Sequence, residues 1–268
     1  MKSHNTHPPV FYLFLFLFGF IISSISPSVS ASDLEKEKRW AEQISDSLLD
    51  GEAVSLNDGK VDFLAIDTQA DEAKDVAVIV IHGIGIHPDW PLVIQPLRVR
   101  LAEQGWNTLS LQMPILANDA TIEDYKPLFK EVPGRIDAGI RYLTKAGAKK
   151  IVIIAHSLGS LMSSYYLAEK KNESNKEDKT ESKAPIIAFI GIGMGSATSQ
   201  YLKKINLPIL DLYGEKDLPD VVKSAASRKE ATKNNSHYQQ VKVAGANHFF
   251  EDQDDDLLKA VTNALAKY

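Results

Sequence analysis

Residues 76–81 read Val-Ala-Val-Ile-Val-Ile, six apolar positions in a row with β-branched side chains predominating. A strand with one face in water alternates polar and apolar residues, so a run without a polar position must be covered on both faces. Residues 150–155 and 186–190 repeat the pattern, and 106–112, 209–213 and 240–243 are weaker strands in the same series. Helical spacing fills the intervals: Val93, Leu97 and Leu101; Ile136, Ile140 and Leu143; Leu161, Tyr165 and Ala168; Leu257, Val261 and Leu265. This alternation predicts an α/β fold, a mostly parallel central sheet flanked by helices on both faces.

Ahead of the alternating region, Trp40, Ile44 and Leu48 recur every fourth residue, as on an amphipathic helix. Asn57-Asp58-Gly59 separates two short strand-like segments and predicts an antiparallel hairpin. Residues 32–268 are expected to form one domain. Within it, 169–183 contains no hydrophobic residue and is mostly charged, which predicts a solvated, mobile loop.

The first 31 residues have another logic. Lys2 opens a polar start, residues 10–22 are almost wholly apolar, and Val29-Ser30-Ala31 supplies small residues before a cut. That is the layout of a signal peptide, with cleavage expected after Ala31. An uncleaved anchor is the alternative, but residues 10–22 fall short of the roughly 20 that span a bilayer. Export, and no stable membrane span after cleavage, are therefore expected. Lys2 is the one charged residue of this segment, so its removal makes the chain one unit more negative than −5. Such a charge argues against nucleic acid as a partner. The chain has no cysteine, which excludes a disulfide framework, a thiol nucleophile and thiolate metal sites.

The chemistry concentrates in Ile151-Val-Ile-Ile-Ala155-His156-Ser157-Leu158-Gly159, a strand, a sharp turn and a helix start. In that setting Ala-x-Ser-x-Gly resembles the nucleophile elbow of the α/β-hydrolases, whose usual form is Gly-x-Ser-x-Gly. Ala155 departs from it by one methyl group, and a tight packing turn would look similar. A serine needs an imidazole to take its proton, and the imidazole needs a carboxylate to orient it. Asp217, in Tyr-Gly-Glu-Lys-Asp after strand 209–213, and His248, in Gly-Ala-Asn-His-Phe after the last strand, stand in the family's order. Asp220 is the reserve acid. Asp217 also fits a plain turn residue, and His248 a solvated loop.

The family resemblance further implies an oxyanion hole. Leu158 follows the nucleophile and offers one N–H; His82-Gly83-Ile84-Gly85 after strand 76–81 resembles the family's His-Gly loop, and Ile84 is expected to offer the other. Gly83, Gly85, His156, Trp90 and Met194 are expected at the substrate, with the loop 116–127 edging the pocket and His82 organising the loop. His82, His87, His156 and His237 fit no compact ligand spacing, so no metal is expected, and no cofactor. Gly83-Ile-Gly85 and Gly191-Ile-Gly193-Met-Gly195 are not a dinucleotide fingerprint.

From His82 to His248 the order looks like the α/β-hydrolase superfamily, serine esterases and lipases in particular. His87-Pro-Asp-Trp-Pro, Pro96-Leu-Arg and Gly105-Trp-Asn-Thr-Leu-Ser look closer still to a family of unknown function from Gram-negative bacteria, a resemblance that implies a periplasmic address for the exported chain. Asp89 and Pro91 are expected as cap and first turn of the following helix. The resemblance implies cleavage of a small carboxylic ester, thioester or amide through an acyl-enzyme; the alternatives are an acyltransferase and a non-catalytic envelope binding or scaffold protein. The sequence leaves the oligomeric state open.

Overall fold

The computed structural model describes Met1, residues 31–173 and residues 185–268. The expected signal segment lies outside them, Met1 and Ala31 apart. Among the described residues, strands β1 Glu52–Asn57, β2 Asp62–Thr68, β3 Val76–Ile81, β4 Thr108–Leu111, β5 Lys150–His156, β6 Ile186–Ile192, β7 Ile209–Gly214 and β8 Tyr238–Val243 form one sheet. Its order is β1-β2-β4-β3-β5-β6-β7-β8. Pairing is parallel from β4 through β3 to β8, while β1 with β2 and β2 with β4 are antiparallel. The helices are α1 Leu34–Ser47, α2 Ile94–Glu103, α3 Ile122–Tyr125, α4 Val132–Lys145, α5 Leu158–Glu173, α6 Ser199–Leu202, α7 Pro219–Ala231 and α8 Asp254–Leu265.

The unbroken apolar run of β3 has the predicted consequence: every one of its residues is buried, between β4 on one side and β5 on the other. Ile79, Ile81, Ile151 and Ile153 face a core completed by Ile136 and Ile140 of α4 and Leu161 of α5. Val78, Val80, Val152 and Ile154 face the opposite core with Leu97 and Leu101 of α2 and Leu257 and Val261 of α8. Each such side chain contributes about 1.5–3 kcal/mol through its burial, so the two cores fix which way every strand faces.

The N-terminal helix and hairpin are present. Asp33 caps α1 by accepting from the Lys36 N–H at 3.0 Å, and Ile44 packs with Leu64 and Ile66 of β2. In the hairpin, Asn57 Oδ1 accepts from Gly59 N–H at 2.8 Å, and Gly59 takes the positive φ that favours glycine, +99°. Two expectations are corrected. Residues 169–173 continue α5 rather than forming a loop, because Glu and Lys are good helix formers and a polar run does not by itself end a helix; 174–183 lie outside the described residues. Asp89 does not cap the next helix, which starts at Ile94; its carboxylate is taken instead by the buried guanidinium of Arg98, 2.6 Å away.

Buried charge also ties α1 to the segment after β4 and to α4. Lys36 Nζ donates to Leu116 O and Asn118 Oδ1, both at 2.7 Å, and Glu37 Oε1 accepts from Ile115 N–H at 3.2 Å. Arg135 of α4 lies 2.8 Å from Glu37, close enough for an ion pair though not aligned as a hydrogen bond. Among the described residues no helix is long and apolar enough to cross a membrane.

Candidate active site

The carboxyl ends of β3, β5, β7 and β8 meet along one edge of the sheet, where open α/β sheets place their sites. β5 ends in a turn that holds Ser157 at φ +53°, a left-handed conformation that a residue with a Cβ seldom adopts. Neighbours over-determine it: Ser157 N–H donates to Ile192 O of β6 at 2.8 Å, and Ser160 Oγ donates to Ala155 O at 2.6 Å. Gly159 must lack a side chain, since a Cβ there would overlap His82 O and lie 2.8 Å from Ile81 O. Ala155 in place of the usual glycine is buried and pairs with Ile81 and Gly191 in the sheet.

Asp217 and His248 are joined. His248 Nδ1 lies 2.6 Å from Asp217 Oδ1; a carboxylate only accepts, so Nδ1 bears the proton and Nε2 is left as the basic nitrogen. Asp217 also accepts from Leu218 N–H at 2.7 Å and Gly214 N–H at 3.2 Å. Burial by itself raises its pKa; the hydrogen bond and charge of His248, with those backbone donors, outweigh burial and hold the carboxyl below its ordinary value. Asp220, the reserve acid, is engaged elsewhere, accepting from Ser196 N–H at 2.8 Å.

Ser157, Asp217 and His248 share a cavity of about 510 Å³ with Gly83, Ile84 and His156, lined otherwise mainly by Ile86, Ile122, Leu218 and Phe249. A larger groove, about 780 Å³, runs between α1 and the β1–β2 hairpin and contains none of these residues. The loop after β3 approaches the nucleophile closely, because a Cβ on Gly83 would lie 3.0 Å from Ser157 Cβ. Among the described residues no acceptor takes the N–H of Ile84 or Leu158, the two donors expected for an oxyanion.

That loop is held from behind. His82 Nε2 accepts from Met113 N–H at 2.9 Å, so Nδ1 carries the proton and donates to Gly83 O at 2.9 Å. Burial pushes His82 down to about 3, and the ring stays neutral in this role. Gly85, expected at the substrate, does not line the cavity; it sits between the lining residues Ile84 and Ile86 at φ +70°, a conformation that favours glycine. Trp90 is likewise displaced: it packs edge-on to His87, 5.4 Å between centroids, and His87 packs on Trp40 of α1. Met194 is fully buried, its sulfur filling the space left by the missing Gly191 side chain. The long apolar side chain found a void in the core before it could reach a pocket.

Sequence reasoning missed Gly193, which at φ +63° lies against His248, and the lining residues Ile86, Lys216, Leu218, Asn247 and Phe249. Gly193 was visible only as part of a glycine-rich stretch, and the position of Phe249 next to His248 was the one available hint. Among the described residues no group of three or more His, Cys, Asp or Glu is placed to hold a metal ion.

Strand order, the strained serine after β5 and the site at the strand ends define the α/β-hydrolase fold. The solved structures agree on the fold. Est1E from Butyrivibrio proteoclasticus is 15% identical, with a TM-score of 0.61 over 80% of this chain and 98% of its own. A dienelactone hydrolase from Anabaena variabilis is 18% identical at 0.64, over 81% and 96%. An esterase from Pyrococcus furiosus is 16% identical at 0.64, over 84% and 95%. No curated protein matches in sequence. The chain belongs to the family described as "Protein of unknown function (DUF3530)", whose model matches residues 24–128 and 118–262.

Proposed function

We propose that the protein is a serine hydrolase that cleaves a small carboxylic ester, or a thioester or amide, through an acyl-enzyme on Ser157. The observation that carries this is the 2.6 Å contact between His248 and Asp217 in the same cavity as a serine held at φ +53°. In this mechanism His248 Nε2 takes the Ser157 proton as the oxygen attacks the acyl carbon, and returns it to the leaving group. Water, activated by the same nitrogen, then releases the acid, so no cofactor is consumed. Asp217 keeps the imidazole in the required tautomer and balances its transient charge. The N–H groups of Ile84 and Leu158 receive the oxyanion, an effect of about 3–4 kcal/mol per donor. The names of the similar structures, an esterase and a dienelactone hydrolase among them, favour ester substrates. The apolar lining favours an uncharged acyl or aryl group.

We also propose export, on the strength of the polar start, the apolar stretch 10–22 and the Val29-Ser30-Ala31 end. The test is labelling of residues 32–268 by a fluorophosphonate, beside Ser157→Ala and His248→Ala. Labelling of the intact protein alone supports the reading; a folded but unlabelled protein overturns it and leaves the binding-protein alternative.

A further inference from the structure

His156 precedes the nucleophile, yet its side chain reaches to the other end of the site. Its Nε2 lies 3.0 Å from the backbone carbonyl oxygen of His248, and because a carbonyl only accepts, Nε2 is the donor. Among the described residues no other donor reaches that carbonyl. The ring packs against His248, 4.7 Å between centroids, and against Phe249 at 5.2 Å. Its Nδ1 is then an acceptor without a partner, in a side chain 1% exposed. An orphaned buried acceptor is destabilising, and an aliphatic side chain would avoid it. What a histidine supplies here, and an aliphatic residue cannot, is the donor.

We infer that His156 is a positioning residue for the base: its Nε2–H holds the His248 carbonyl and its ring backs the His248 imidazole, fixing Nδ1 on Asp217. The strand that delivers the nucleophile thereby also anchors the loop that delivers the base. That loop has other holds, with Lys216 N–H donating to Ala246 O at 2.8 Å, Gly245 N–H to Glu215 Oε2 at 3.0 Å and Phe250 buried at a φ of +53°, but none of these takes the His248 carbonyl. Burial pushes His156 down to about 3, so it remains a neutral donor while the neighbouring imidazole exchanges protons. The word base rests on the hydrolase reading; the tether does not.

Two substitutions separate the contributions. His156→Phe keeps a ring and loses the donor, while His156→Gln places an amide N–H at similar reach. The readouts are the second-order rate of fluorophosphonate labelling, the thermal midpoint, and the downfield proton resonance of the Asp217–His248 hydrogen bond. His156→Phe is expected to fold and to label about 10- to 100-fold more slowly, the cost of a slightly misplaced catalytic group, with the resonance broadened or shifted. His156→Gln should recover most of the rate and the resonance. The inference is overturned if His156→Phe labels like the wild type, or if both variants are folded and equally slow. Should His156→Phe not fold, the folded Gln variant decides: near-normal labelling supports the tether and slow labelling overturns it. If the wild type itself does not label, the hydrolase reading fails, and the resonance alone decides; an unaltered resonance in a folded His156→Phe overturns the tether.

Discussion

Gly193 lies against His248 so closely that a Cβ on it would come within 2.8 Å of the imidazole Cε1 and 3.0 Å of Nδ1. The missing side chain is the space the imidazole occupies. Gly193 also sits at φ +63° and donates its N–H to Leu212 O at 2.9 Å, so the backbone cannot retreat without loosening β7. Gly193→Ala is therefore expected to displace the imidazole and slow fluorophosphonate labelling at least about 100-fold. The left-handed backbone adds a stability loss of about 1 kcal/mol. Labelling at the wild-type rate would mean that the imidazole position is not set by this contact.

Asp217→Asn tests the tautomer argument. The amide is nearly the size of the carboxylate, but it can present N–H to His248 Nδ1 and so favour the proton on Nε2, the wrong nitrogen. Turnover of an ester is expected to fall about 10⁴-fold with little change in KM. A loss smaller than tenfold would transfer the acid's role elsewhere, Asp220 being the first place to look.

Stability should depend on acid in a specific way. Burial lowers both His82 and His156 from the usual 6.5 to about 3. The unfolded chain therefore binds protons at these sites before the folded one does. The stabilisation is complete above about pH 6.5 and drains away as pH falls toward 3, at roughly 1.4 kcal/mol per histidine per pH unit. Half-buried His87, also lowered by burial, acts in the same direction. Urea midpoints at pH 7 and pH 4.5 measure this, and equal midpoints would contradict neutral burial of the pair.

Ala155→Gly restores the usual elbow glycine. Because Ala155 is already buried in register with Gly191, its methyl is accommodated, and its removal should cost about 1 kcal/mol of stability without raising the labelling rate. A tenfold faster glycine variant would identify the methyl as an impediment to the serine.

Much of the fold was legible because its signals are local. The apolar run of β3 needed both faces covered, and Asn57-Asp58-Gly59 had one economical conformation. That Asp217 and His248 come together was legible because each follows the carboxyl end of a strand, and β7 and β8 are neighbours in the sheet. Trp90, Met194 and Gly193 were illegible for one shared reason. Where each side chain, or its absence, ends up depends on how space is filled in the folded molecule rather than on periodicity or motif: His87 packed on Trp40, the space at Gly191, the ring of His248. Asp89 was misjudged in the same way, since nothing local announces that Arg98 will claim its carboxylate.

The tether from His156 to His248 spans 92 positions of sequence. A chain emerging from synthesis thus carries its strained serine turn well before the loop that would serve it. On the proposed hydrolase reading, a chain that still lacks β8 and α8 has no His248 beside its elbow, and its serine is expected to be inert. Recovery of labelling on refolding would then report the arrival of the carboxyl-terminal strand and helix rather than the collapse of the sheet.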